Sequence, residues 1–112
     1  MQIYHNPRCR KSRETLQRIE AAGKKPEIIK YLEMPPTREE LTAILRKLDI
    51  PAARLIRKGE AVYKEEYKGK ELTEAEWIEA MLQHPKLMER PIVVEGDRAV
   101  IGRPPENVDA LL

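Results

Sequence analysis

The chain holds one cysteine, Cys9, and the residues around it break a rule of helix chemistry. In His5-Asn6-Pro7-Arg8-Cys9-Arg10-Lys11-Ser12-Arg13 the cysteine falls where a short apolar–polar alternation ends and a helical pattern begins. A helix start carries partial positive charge, so each cation placed there is unfavourable by roughly 0.3–1 kcal/mol. Arg8, Arg10, Lys11 and Arg13 nevertheless crowd that turn. The same field favours anions, because free backbone N–H groups, the helix dipole and the cations converge on negative charge. A thiol in such a field loses its proton readily, and the thiolate is the nucleophile. An oxyanion beside it would be held by the same donors. Position and charge alone leave a second reading open: a buried structural cysteine with solvated arginines around it, since free cysteine is among the most buried residue types.

Other residues bear on the choice. His5, four positions before Cys9, is either a partner that tunes the thiol or a strand-end histidine with no role. Ser12 stands where a Cys-x-x-Cys pair would put its second thiol. An oxidised or adducted Cys9 must therefore be resolved by an outside thiol, which implies glutathione, a glutaredoxin, or both. Arg90 and Arg103 each precede a proline, whose ring restricts the residue before it. Arg57 is a third candidate anion ligand. By spacing alone each of the three is more often an ordinary surface residue, since 21 lysines and arginines share the chain.

The elements that must position these residues follow from periodicity and punctuation. Gln2–His5 reads as a first strand, broken by Asn6-Pro7. A helix follows from about Cys9 to Ala22, with Leu16 and Ile19 inward and Gly23 as its stop. Glu27–Leu32 reads as a second strand, parallel to the first. Thr37 with Glu40 and Thr73 with Glu76 have the capping-box form. Each opens a helix with an apolar stripe: Leu41, Ile44, Leu45 and Leu48, then Trp77, Ile78, Met81 and Leu82. Between them Arg57–Lys70 is charged and less regular. Ile92–Val94 and Arg98–Ile101 flank Gly96-Asp97 as a tight hairpin, and Pro104-Pro105 opens a last helix. This order, βαβ, a helical insertion and ββα, predicts a thioredoxin-like mixed α/β sheet. At 112 residues the chain is expected to be one such domain, 1–112, with the insertion at about 37–84.

Composition excludes several classes. The 21 basic and 19 acidic residues leave a net charge of +2, too small for a nucleic-acid binder. No apolar run approaches a membrane span, and no signal-peptide core is present at the start. One cysteine excludes an internal disulfide and a Cys-rich metal site, and no metal-ligand spacing surrounds His5 or His84. The expected location is the cytoplasm.

Three blocks, in order, resemble the glutaredoxin-dependent arsenate reductases of the thioredoxin fold. His5-Asn6-Pro7-Arg8-Cys9 with Ser12-Arg13 is similar to that family's His-x3-Cys-x3-Arg signature. His84-Pro85 followed by Glu89-Arg90-Pro91-Ile92-Val93-Val94 resembles its second block, and Gly102-Arg103-Pro104-Pro105-Glu106 its third. The resemblance implies that Cys9 is the catalytic nucleophile and that His5 helps depress its pKa. It implies that Arg57, Arg90 and Arg103 bind the oxyanion and its adduct. Pro91 matches a cis-proline beside the active site, Arg13 matches the terminal arginine of the signature, and Ser12 lies with them. Arsenate would be the substrate, glutathione a co-substrate and glutaredoxin the reductant, with no bound cofactor and no metal. Two other functions remain in view: a glutathione-linked thiol oxidoreductase acting on another substrate, and a redox-responsive transcription regulator, which Ser12 disfavours by removing the Cys-x-x-Cys switch.

Overall fold

Strand β1, Gln2–Tyr4, is the interior strand on which the site is built. It pairs in parallel with β2, Glu27–Ile29, and antiparallel with β3, Ile92–Glu95. Strand β4, Arg98–Ile101, completes the order β2-β1-β3-β4. The register sets Ile3 against Ile28 on one side and Val93 on the other. Gly96, with φ +60°, and Asp97 close the β3–β4 hairpin. A positive φ at the first central position is what a two-residue turn of this kind asks of glycine. The computed structural model describes residues 1–112, which divide into two compact units: 1–34 with 90–112, and 35–89.

In the sheet unit, helix α1 spans Arg10–Ala21, and a 3-10 helix spans Pro105–Leu111. Ile3, Ile19, Val93, Val108 and Leu111 form one buried cluster, with Met1, Leu16 and Val100 packed on it. Each aliphatic side chain so buried contributes about 1.5–3 kcal/mol. Arg18 of α1 forms a bidentate pair with Asp109 of the 3-10 helix, at 3.0 and 2.6 Å. The closing segment expected as an α-helix is thus a 3-10 helix, with Val108 and Leu111 buried and Leu112 exposed. The second strand also ends early. After Ile29 the Lys30 carbonyl accepts from Glu33 and Met34, so the chain turns there, with Tyr31 buried in the turn.

The helical unit holds α2, Arg38–Leu48, α3, Ala61–Glu66, and α4, Glu74–Gln83. Thr37 and Thr73 cap α2 and α4, each in a complete capping box with Glu40 and Glu76. Leu41, Ile44 and Leu45 face inward from α2, and Trp77, Ile78, Ala80 and Met81 from α4. Arg38 pairs with Glu79, joining the two helices. The Glu74 carboxylate accepts from the Ala52 N–H at 3.0 Å, fixing a short 3-10 turn over Ala52–Leu55. The stretch read as irregular contains α3, which buries none of its residues. An apolar stripe was therefore missing from its sequence, and with it the signal.

Candidate active site

The loop before α1 is tied at both ends. The Asn6 carbonyl accepts from the Cys9 N–H at 3.0 Å, and the Asn6 side-chain oxygen accepts from the Arg8 N–H at 3.0 Å. Asparagine side chains favour such turns because they reach the backbone two residues on. Arg13, one turn into α1, donates to the Pro7 carbonyl at 2.9 Å and clips the loop to its helix. Cys9 occupies the N-cap position with extended backbone, and its side chain makes no capping bond to the helix as a hydroxyl would. No acidic residue occupies the first turn.

The sulfur takes the donors that a cap would have taken. Burial pushes the Cys9 thiol up. The Ser12 backbone N–H, the Arg90 guanidinium and the Lys11 backbone N–H outweigh it and hold the thiol below its usual value. Arg103 Nη1 lies 3.7 Å from Cys9 Sγ and also donates to the Arg90 carbonyl at 3.3 Å. One guanidinium thus touches the nucleophile and the backbone of the other arginine. The four cations of the cysteine's own turn do less than their number suggested. Arg10 is turned to Glu14 at 2.9 Å and Arg13 to Pro7. Charge on the sulfur comes from Arg90, far along the chain.

His5 and Ser12 form a buried pair. His5 Nδ1 lies 2.6 Å from Ser12 Oγ, and that oxygen accepts the Asn6 N–H at 3.1 Å. Burial lowers the His5 pKa, and the Lys30 and Arg13 charges lower it further. These shifts favour the neutral imidazole over a cation beside the thiol. Its hydrogen bond runs to Ser12, the residue whose backbone N–H serves the sulfur.

The two Arg-Pro segments meet behind the site. The Arg90–Pro91 bond is cis, as the resemblance implied, and so is Arg103–Pro104, which nothing in the sequence reading anticipated. The Pro91 carbonyl accepts from the Gly102 N–H at 2.9 Å. Thr15 Oγ1, fully buried, donates to the Lys11 carbonyl at 2.8 Å and reaches the Gly102 carbonyl at 3.2 Å. A Cβ at Gly102 would come within 2.6 Å of Thr15 Oγ1 and 2.8 Å of Pro91 Cγ, so only glycine permits this approach. Arg57 belongs to the helical unit, where its guanidinium is 3.4 Å from Glu60 and 3.6 Å from Glu89. No group of three or more His, Cys, Asp or Glu side chains gathers to hold a metal, and no helix is long and apolar enough to cross a membrane.

The model of the ArsC family matches residues 4–111. The chain belongs to the ArsC family. It is 45% identical over 112 residues to the arsenate reductase of Haemophilus influenzae, covering 98% of this chain and 97% of that one. It is 49% identical over 110 residues to the uncharacterized protein YfgD of Escherichia coli, covering 96% and 92%. The solved arsenate reductase of Vibrio cholerae superposes with a TM-score of 0.95 at 46% identity, covering 99% of this chain and 96% of that one. The ArsC fold is thioredoxin-like, as the order of elements predicted.

Within this ArsC chain the sequence reading did not foresee the approach of Thr15 to Gly102. Thr15 lies on the buried face of α1 beside Ser12 and Ile19, but a search for apolar periodicity passes over hydroxyls. A glycine directly before Arg103-Pro104 was the available signal for its partner.

Proposed function

We propose that this chain reduces arsenate to arsenite through the Cys9 thiolate, with glutathione and glutaredoxin as external reductants, in the cytoplasm. The reading rests above all on one observation: the Arg90 and Arg103 guanidinium groups and the first amides of α1 converge on a single sulfur. The family and the printed names of relatives in it support arsenate as the anion. Arsenate is a tetrahedral oxyanion, and planar guanidinium forks bind two of its oxygens at once where an ammonium would bind as a point charge.

The Cys9 thiolate attacks arsenic, and one arsenate oxygen leaves as water. A glutathione thiol then joins the adduct with loss of a second water. A glutaredoxin thiolate attacks the glutathione sulfur, so a glutaredoxin–glutathione disulfide forms, the arsenic–glutathione bond breaks and its electron pair takes arsenic(V) to arsenic(III). Water then cleaves the Cys9–arsenic bond, which releases arsenous acid and restores the thiol. Arsenous acid is neutral at neutral pH, and a cationic pocket has little hold on it. Neutral His5 orients Ser12 under the loop, Arg13 clips that loop, and Pro91 holds Gly102, the neighbour of Arg103. The resemblance adds Arg57 to the anion's donors. That assignment rests on the resemblance alone, because the partners of the Arg57 side chain are Glu60 and Glu89. The resemblance likewise treats the 112 residues as one domain.

The test is arsenate-dependent NADPH consumption in the presence of glutathione, glutaredoxin and glutathione reductase. Consumption that disappears in Cys9→Ser supports the proposal. Absence of arsenate-dependent consumption, with activity retained on glutathione mixed disulfides, replaces it with a glutathione-linked thiol oxidoreductase.

A further inference from the structure

We infer that Asn107 is a positioning residue for Arg103, clamping the turn that sets its guanidinium on the Cys9 sulfur. For its substrate this inference rests on the reading above; for the thiol it does not. An exposed arginine keeps its rotamer freedom unless its backbone is fixed and its head is held. The head of Arg103 is held by Cys9 Sγ and the Arg90 carbonyl. On the buried side its backbone is fixed through Gly102, which the Pro91 carbonyl and Thr15 Oγ1 grip. On the solvent side only a short segment is available, and Asn107 is the side chain that reaches back from it. Its Nδ2 donates to the Ile101 carbonyl at 3.0 Å and to the Arg103 carbonyl at 3.1 Å.

An amide nitrogen has two protons, and both are committed to the two carbonyls that bracket Gly102. Those carbonyls lie at an exposed turn, where water would satisfy them equally well. The Arg103 N–H already donates to the Ile101 carbonyl at 2.9 Å and closes the turn around Gly102; what Asn107 adds is order, because it ties both carbonyls of that closed turn to the 3-10 helix that follows. The free groups at a helix start are N–H donors that need acceptors, whereas the Asn107 amide nitrogen donates, so these two bonds do not cap the 3-10 helix that carries it.

The experiment compares alkylation of Cys9 by iodoacetate, an anion, with alkylation by neutral iodoacetamide. The ratio of the two rates reads the cationic grip at the thiolate without any arsenate. We expect Asn107→Ala to lower this ratio about two- to tenfold. It should also raise KM for arsenate more than it lowers kcat, with the melting temperature nearly unchanged. In an Arg103→Ala background the Asn107 substitution should add nothing. An unchanged ratio in Asn107→Ala overturns the inference, and so does an equal drop in the Arg103→Ala background. If wild-type protein turns over no arsenate, the alkylation ratios still decide the role of Asn107, so the two failures are separable.

Discussion

In the helical unit, α2 and α4 open with the same device. Thr37 accepts from the Glu40 N–H and Thr73 from the Glu76 N–H, while both glutamates reach back to the capping residues. Acidic residues occupy both first turns. In the sheet unit, α1 opens with Cys9, without a cap bond and without an acid in its first turn. With no side-chain cap to satisfy them, the Ser12 and Lys11 amides favour the thiolate form of Cys9. Where a helix only has to hold shape, its first amides are satisfied by its own side chains. Where it starts at the lone cysteine, they are left to favour a thiolate.

The sharpest way to break this contrast is to remove the sulfur. Cys9→Ser should fold normally and show no arsenate turnover; turnover that survives would separate the uncapped helix start from the chemistry, since no second cysteine exists to take over. Arg90→Ala should come next. Loss of a preorganised donor costs roughly 2.7–4 kcal/mol, or 10²–10³ in rate. The pH midpoint of iodoacetamide alkylation should also move up towards that of an ordinary thiol. Arg90→Lys should recover part of both. A midpoint unmoved in Arg90→Ala would leave the helix amides and Arg103 as the source of the thiol's acidity.

Smaller effects sharpen the contrast. Thr73→Ala removes a working cap and should cost about 1 kcal/mol, read as a shift in urea midpoint. Cys9→Asp runs the other way. It gives α1 the acceptor it lacks, at the positive end of the dipole, and should stabilise the inactive protein by about 0.5–1 kcal/mol. Destabilisation there would mean that the first turn of α1 is not short of a cap.

The smallest effect is in pH. The folded pKa of Cys9 lies below its ordinary value, so between the two values the unfolded chain binds more protons. Stability should rise with pH across that window, be fully present above the ordinary thiol value, and be lost as pH falls through the folded value. Urea midpoints across a pH series should show this rise in wild type and a flatter profile in Cys9→Ser.

How much of this was legible in the sequence differs by residue. Cys9 announced itself by breaking a rule, and Thr37 and Thr73 by keeping one. The β3–β4 hairpin was readable because Gly96-Asp97 separates two β-branched runs. The early end of β2 was not, because Ile28, Ile29 and Tyr31 share an apolar character that says nothing about where Lys30 turns. The convergence of Arg90 and Arg103 was visible only through the family resemblance. The thiol's acidity was traced to the helix-start amides and to the cations beside them. The Ser12 and Lys11 amides do contribute, but the charge is that of Arg90, because nearness in sequence is a poor guide to nearness in space: Arg10 turns to Glu14, Arg13 to Pro7, and Arg90 arrives from the far side of the helical unit's sequence.

That last separation has a consequence during synthesis. Strand β1 carries Cys9, His5 and Ser12 behind it, and all are made before the helical unit. Strand β3, which pairs with β1 antiparallel, and both site arginines follow only after residue 89 has been added. Pairing over such a span must wait for the intervening chain. On the ribosome the cysteine therefore lacks the guanidinium groups that favour its thiolate, and it meets them only as the final two strands dock. If Cys9 is the nucleophile proposed above, the protein carries it through translation in a subdued form and arms it with its last residues.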